Sequence, residues 1–496
     1  MPAAIGTLIL TAVGAGGFAT TAVIGEATVA SIVGTVALTG ASIGLQLALA
    51  PKPPEPGEQK GQLTTRQPVP VRRRYYGRVK IGGALMFSET LDNTRYQVLA
   101  LNHGEVADYE QHWLNEIVAV VVANQVTNAF LQSGFPLVGI IWEYGTESDL
   151  GFGFLQAQFP GKWDAAHRGL GIAKVLITTG QPADQENFTA VYPGGLPPPY
   201  RAVVASTKCW DFRNPGQDRN NKLTWQFSEN PVLQILDFHR HADGMGLAPQ
   251  DAVYFPDSAI QEDWIPAAQA CDELMTLQTL ATEPRYRCAG GYDLTDPPKD
   301  VLARMLATCD GQLYQRRDGS IGIRVGRIVA PTVTIGDEHI LSYSEFRAGT
   351  PDYLNINEVT AKFTSTKHDY QSIDANAYRD EDDIDATGQV RTQSLDLSWV
   401  PSHAQAVRLM KIAFNRANPA WSGTIVTNLF GLNAFAERYI RVQISELTVD
   451  HTFEILSFEI AAAAGTCTLA IIAMDQSAFD WAPGEEGEQP VVPVGF

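Results

Sequence analysis

The chain has 496 residues, 45% hydrophobic and 18% charged, with 36 Lys and Arg against 55 Asp and Glu, a net charge of −19. That balance speaks against a dedicated nucleic-acid binder, whose surface must neutralise phosphates, and the length suggests roughly three folded domains. Cys209, Cys271, Cys288, Cys309 and Cys467 are odd in number and show no C-x-x-C spacing, which argues against a disulfide framework or a zinc site and fits a reducing cytosol.

The first fifty residues hold one charged side chain, Glu26, between two apolar runs at 3–25 and 27–50. Each run is long enough to cross a bilayer core of roughly 30 Å as a helix. Both are rich in Gly, Ala, Thr and Val, and Gly40 and Gly44 form a small-xxx-small pair suited to close helix approach. The absence of a basic start argues against a signal peptide. Three readings stay open: a pair of membrane-spanning helices, an apolar helical hairpin held inside an assembly that later meets a membrane, or a Gly-rich tail. Any of the first two requires a partner, lipid or other copies of the chain, because so large an apolar patch aggregates in water.

Residues 51–70 carry Pro51, Pro53, Pro54, Pro56, Gly57, Gly61, Pro68 and Pro70 and read as an extended linker. Alternation then predicts strands near 79–81, 96–102, 116–122 (after a turn at Trp113-Leu114-Asn115), 137–144, 172–178 and 200–208, with a loop over 180–199. Asn230-Pro231 opens a helix carrying Val232, Ile235, Leu236 and Phe238, and a second helix is expected over 264–280. A β-α-β-β module follows. Its parts are a strand at 285–288, a helix capped by Asp296 and carrying Val301, Leu302, Met305 and Leu306, and two strands joined at Asp318-Gly319. Strands return at 340–341 and 353–359, then an acidic loop, a helix from Pro401, and strands at 423–429, 439–445, 452–460 and 466–473. The Pro-, Gly- and Glu-rich stretch after Trp481 reads as loose.

Reaction chemistry is hard to find. His239-Arg240-His241 looks like a metal pair, but residues two apart on a helix point to different sides. The run Asp380-Glu381-Asp382-Asp383-Ile384-Asp385 lacks EF-hand spacing and reads as a solvated loop. There is no H-E-x-x-H or Walker A motif. Arg72, Arg73 and Arg74 form a basic cluster suited to touching an acidic neighbouring copy.

In chain order, Arg66-Gln67-Pro68-Val69-Pro70 leads to Tyr76-Gly77-Arg78-Val79-Lys80-Ile81-Gly82-Gly83. Glu116 follows Trp113-Leu114-Asn115. Trp225-Gln226-Phe227-Ser228-Glu229-Asn230-Pro231 comes next, then Arg285-Tyr286-Arg287-Cys288-Ala289-Gly290, and Phe479-Asp480-Trp481 closes the series. This order resembles the central tail-hub proteins of long-tailed bacteriophages, the class of the lambda-like tail-tip protein and the hub of gene transfer agents, over roughly 66–481. The resemblance implies a β-rich α+β fold with two tail-tube-like antiparallel β domains (71–205 and 331–484), an inserted α/β hub domain (206–330) and a flexible tail (485–496). It implies a homotrimer at the virion tail tip, made in the host cytoplasm. Three copies would form a ring of six tube-like domains, without catalytic residues, cofactor or metal. Expected partners are the distal tail or tail-tube protein, a tape-measure protein, a separate tail fibre and the host membrane, with DNA only passing through. The chain stops without fibre domains, so receptor binding is expected to lie with another protein. Its apolar start is not standard for the lambda-like member, and three copies of it would bundle on the tube axis as a plug, entering the host membrane at infection. The rival readings are a membrane-anchored envelope protein and a tail-associated cell-wall hydrolase.

Overall fold

The computed structural model describes residues 70–193, 198–351 and 355–491. Glu26, Gly40, Gly44 and the linker up to residue 69 lie outside the described residues. The described chain is β-rich with interspersed helices, an α+β fold.

Asp92 and Asn93 both hold positive φ, 48° and 60°, the geometry of a two-residue turn that matches strand twist. They join β1 (Ala84–Leu91) to β2 (Thr94–His103). β3 (Val138–Glu143) and β4 (Ile172–Gly180) follow, and the antiparallel order in space is β1-β2-β4-β3. Alternation sends Leu99, Leu101, Val175 and Ile177 to one face and Tyr96, Val98 and Leu176 to the other. The first face packs on a second sheet built around Tyr200–Cys209, which pairs with Val106–Leu114 and Arg78–Ile81. The other is covered by Phe152, Leu155, Phe159 and Trp163.

The middle of the chain is helical because its caps and apolar spacing agree. Asn230 Oδ1 accepts from the Val232 amide at 3.0 Å with Pro231 in the first turn, starting α1 (Pro231–Arg240). α2 (Ile265–Asp272), α3 (Pro298–Ala307) and the hairpin Gln312–Gln315 with Ile321–Arg324 enclose one core with it. That core also takes Val359, Ala361 and Phe363 from the strand Glu358–Ser365, Leu397 from its parallel partner Thr392–Leu397, and Val407 and Met410. The expected boundary at residue 330 therefore does not separate two cores.

β5 (Ile340–Ala348) forms one edge of the last sheet, after the short strand Thr334–Ile335 has taken the other. The chain then leaves it for the parallel strand pair and α4 (His403–Ala417), and returns as β6 (Trp421–Thr427), β7 (Tyr439–Ile444), β8 (Val449–Ala461) and β9 (Thr466–Ala473). The spatial order is β5-β6-β9-β8-β7. In the first sheet the edge strand pairs with the next in the chain, then the last, then the one before the last; β5, β6, β9 and β8 follow the same succession, with Thr334–Ile335 added parallel to β7 at the far edge. The two sheets thus repeat one strand succession.

Several expected elements differ. The 180–199 loop contains a helix, Gln185–Val191, whose first turn is capped by Asp184 accepting from Asn187 N at 2.8 Å. Trp113 and Leu114 belong to the strand before the turn, which falls on Asn115 at φ 55°. The helix expected to reach 280 ends at Asp272. Leu274–Thr276 and Thr282–Pro284 form a hairpin instead, β-branched Thr276 and Thr282 suiting a ladder better than a helix. Residues 285–288 are not a strand. Their amides go to Glu273, Cys271 and Glu229 carbonyls, and the ladder is made by Gly290–Asp293 against Arg73–Tyr76. Asp296 does not cap α3: Pro297 occupies the N-cap position without a side-chain capping bond, and Asp296 pairs with Arg304 at 2.8 Å. The strand expected from 353 has its ladder begin at Glu358, with 352–354 outside the described residues. The acidic loop is a helix, Glu381–Thr387, whose cap Asp380 and acidic first turn complement the positive helix end. The stretch after Trp481 is held as far as Val491, whose carbonyl contacts His368 at 3.0 Å.

Candidate functional site

A charge removed from water must meet an opposite charge or hydrogen-bond partners, so buried charges reveal where the parts of this chain are fastened. The strand Arg73–Tyr76 lies against Gly290–Asp293, where a Cβ on Gly291 would fall 2.2 Å from the Tyr75 ring. Arg74 is buried and donates to Asp237 of α1 at 3.0 Å and to the His103 carbonyl of β2 at 3.3 Å. Tyr76 donates to the same Asp237 oxygen at 2.8 Å. Burial opposes the Arg74 charge, but Tyr76 and Asp237 outweigh it and hold its pKa above the ordinary value. This cluster joins the first β unit to the central core.

A second cluster joins the central core to the last sheet. Arg416, at the end of α4, reaches Asp310 and Glu454 at 2.9 Å each. Arg438 reaches the same two carboxylates at 2.6 and 3.0 Å. Two positive and two negative groups balance. Burial alone would raise the Asp310 carboxyl, yet the two guanidiniums bring it down to about 2. A third cluster ties the 274–284 hairpin to α4. There Glu283 accepts from Arg408 at 3.0 Å, Arg287 at 2.9 Å and Ser402 at 2.7 Å. Together the clusters hold the two repeated sheets at set positions on a central body. They are ion pairs suited to rigidity rather than proton transfer.

The residues singled out in the sequence separate accordingly. Arg73 pairs with Asp293 at 2.6 Å and Arg74 is internal, so the basic triplet is not one free patch; only Arg72 of the three is exposed. Asp383 of the acidic run accepts from Arg391 at 2.5 Å and Asn357 at 2.7 Å. His239 is fully buried beside Phe255 and Trp264, with Nδ1 2.7 Å from the Ile235 carbonyl, and burial lowers its pKa to about 4. His241 stands apart from it with its Nδ1 accepting from Asp243 N. Among the described residues no group of three or more His, Cys, Asp or Glu is placed to hold a metal ion, and no helix is long and apolar enough to cross a membrane. The five thiols are buried, and burial raises those of Cys209, Cys271, Cys288 and Cys467.

Sequence reasoning missed the Asp310–Arg416–Arg438–Glu454 cluster, because Asp310 meets its two arginines only across 106 and 128 residues of chain. It also missed the open edges. β1 and β5 each end a six-stranded sheet, and most β5 side chains are exposed on both faces.

Comparison with solved structures places this fold. A chain of the native gene transfer agent virion matches over 86% of this chain and 90% of its own length, with a TM-score of 0.56 and 14% identity. Lower superpositions are found with the 43 kDa tail protein of prophage MuSo2 from Shewanella oneidensis (TM-score 0.27, 11% identity, 83% of this chain and 99% of that one) and with prophage tail protein gp18 from Listeria monocytogenes EGD-e (0.26, 9%, 78% and 86%). No family model matches the sequence. No curated protein matches it. The chain therefore shares its fold with a component of a gene transfer agent particle.

Proposed function

We propose that this chain is a structural, non-enzymatic hub of a phage-like tail tip. Three copies close into a ring whose six repeated sheets adapt the hexameric tail tube to the tip and form part of the DNA-ejection channel. The observation that carries this reading is the fold shared with the gene transfer agent virion chain across nearly the full length of both. The repeated strand succession supports the threefold count, since two like sheets per copy convert three chains into six. Neighbours in this reading are a tail-tube or distal tail protein, the tape-measure protein and a separate fibre, and Arg72 faces a neighbouring copy. Residues 1–50, around Glu26, Gly40 and Gly44, supply the lumen plug or the host-membrane contact.

Immunogold labelling of intact particles tests the location: gold at one tail end supports it, and label on heads or on host envelopes alone contradicts it. A membrane-soluble photoprobe tests the leader. Residues 1–50 should label only during infection, and labelling in purified particles, or none at any stage, removes that role.

A further inference from the structure

We infer that copies of this chain meet head to tail through two uncharged apolar patches, one on each β unit; the inference rests on the ring reading above and names its contact surfaces. The first patch lies in residues 117–142, which contain no Asp, Glu, Lys or Arg in a chain of net charge −19. Ile117, Val118, Val120 and Val122 are exposed there, Val120 at 50% and Val122 at 58%. Ile117 and Val118 lie on the strand Ile117–Ala119, Val122 on Val121–Val122 and Val120 between them; Ala119 and Val121 turn toward the core of the first β unit while these four side chains face away from it. Their backbone is nonetheless fixed: Asn128 accepts from Val120 N at 2.8 Å and donates to the Val118 carbonyl at 2.7 Å. This is an ordered surface of branched apolar side chains turned to water.

The second patch is on the other β unit. Residues 417–436 and 460–473 are likewise uncharged. Leu429 and Leu432 are 55% and 39% exposed on the 3-10 segment Leu429–Ala434, and Ile460 is 49% exposed at the end of β8. Exposed Ala461 ends β8, and the exposed alanines 462–464 lie in the β8–β9 turn. A Cβ on Gly465 would lie 3.9 Å from Leu429 Cγ, so segment and turn adjoin as one surface.

Charge selects the occupant. Two copies of an acidic chain repel across most of their surfaces, and burying a carboxylate against an apolar partner is costly. Each patch therefore fits an uncharged apolar surface, and the chain carries a second one of that kind on its other β unit. Pairing two different patches is a heterologous contact, which closes into a ring when the rotation allows.

The test uses the full-length chain, Val120→Glu/Val122→Glu for the first patch, Leu429→Glu/Leu432→Glu for the second, and sedimentation at matched concentrations. The wild type should sediment as a trimer and each variant as a monomer. An equal mixture of the two variants should yield dimers, because one intact patch of each kind remains and the ring cannot close. Variants that stay trimeric, or a mixture that stays monomeric, overturn the assignment while leaving the ring reading intact. A monomeric wild type overturns the ring reading itself. Should a glutamate variant fail to fold, Val120→Thr and Leu429→Ser take its place; each should weaken the trimer at least tenfold, and an unchanged trimer counts against the patches.

Discussion

Asp310 sits in the left-handed region at φ 47°, just past α3, and faces two guanidiniums from other parts of the chain. Asp310→Asn would leave Arg416 and Arg438 sharing Glu454 alone, and should destabilise the fold by about 3–5 kcal/mol in chemical denaturation. The acid dependence has a definite sign. The Asp310 carboxyl lies at about 2 instead of 3.8, so its contribution is complete above about pH 4 and is lost as pH falls toward 2. The buried histidines act in a higher window. Burial lowers His112 and His239 to about 4 from 6.5, so the unfolded chain takes up their protons first. Each should remove about 1.4 kcal/mol of stability per pH unit between roughly 6.5 and 4. Denaturation midpoints at pH 7 and 5.5 check this, and His112→Gln should flatten part of the slope. The His-Arg-His run was visible in the sequence, but the walls around His239, Phe255 and Trp264, come from residues later in the chain and give no local signal.

At the scale of elements, alternation and turn chemistry were sufficient where a segment's own side chains decide its state. The strands around 96–102, 172–178, 200–208 and 466–473 and the Asp318-Gly319 hairpin are of this kind. Failures fall where partners from elsewhere decide. Residues 285–288 have strand-like composition, yet their amides are taken by Glu273, Cys271 and Glu229. The stretch after Trp481 has the composition of a loose end, yet it is a strap across the body. Trp481 Nε1 donates to the Thr276 carbonyl at 2.9 Å, Glu485 accepts from Lys411 at 2.9 Å, and buried Glu486 accepts from the Gln278 amide at 2.8 Å. Glu486→Ala should leave that amide without its acceptor and cost about 1–3 kcal/mol. Hydrogen exchange should then rise in the 274–284 hairpin while β2 and β4 stay protected; unchanged exchange in the hairpin would mean the strap holds nothing in place. Asn230→Ala, which removes the cap of α1, should cost about 1 kcal/mol in the same assay.

For the whole molecule, the two repeated sheets and the ionic clusters that fasten them to one central body are what make a ring of six sheets from three chains a coherent proposal. The sequence could suggest two β regions flanking a helical middle, but not that the central core draws on both sides of residue 330. That packing arises because the strand pair Glu358–Ser365 and Thr392–Leu397 turns its apolar face inward to meet Leu302 and Met305 within the same core. Class averages of the purified full-length protein by electron microscopy test the central claim most directly. The account predicts end-on views with threefold symmetry and six similar lobes around an axial channel; a single-copy particle, or a ring of another order, would contradict it.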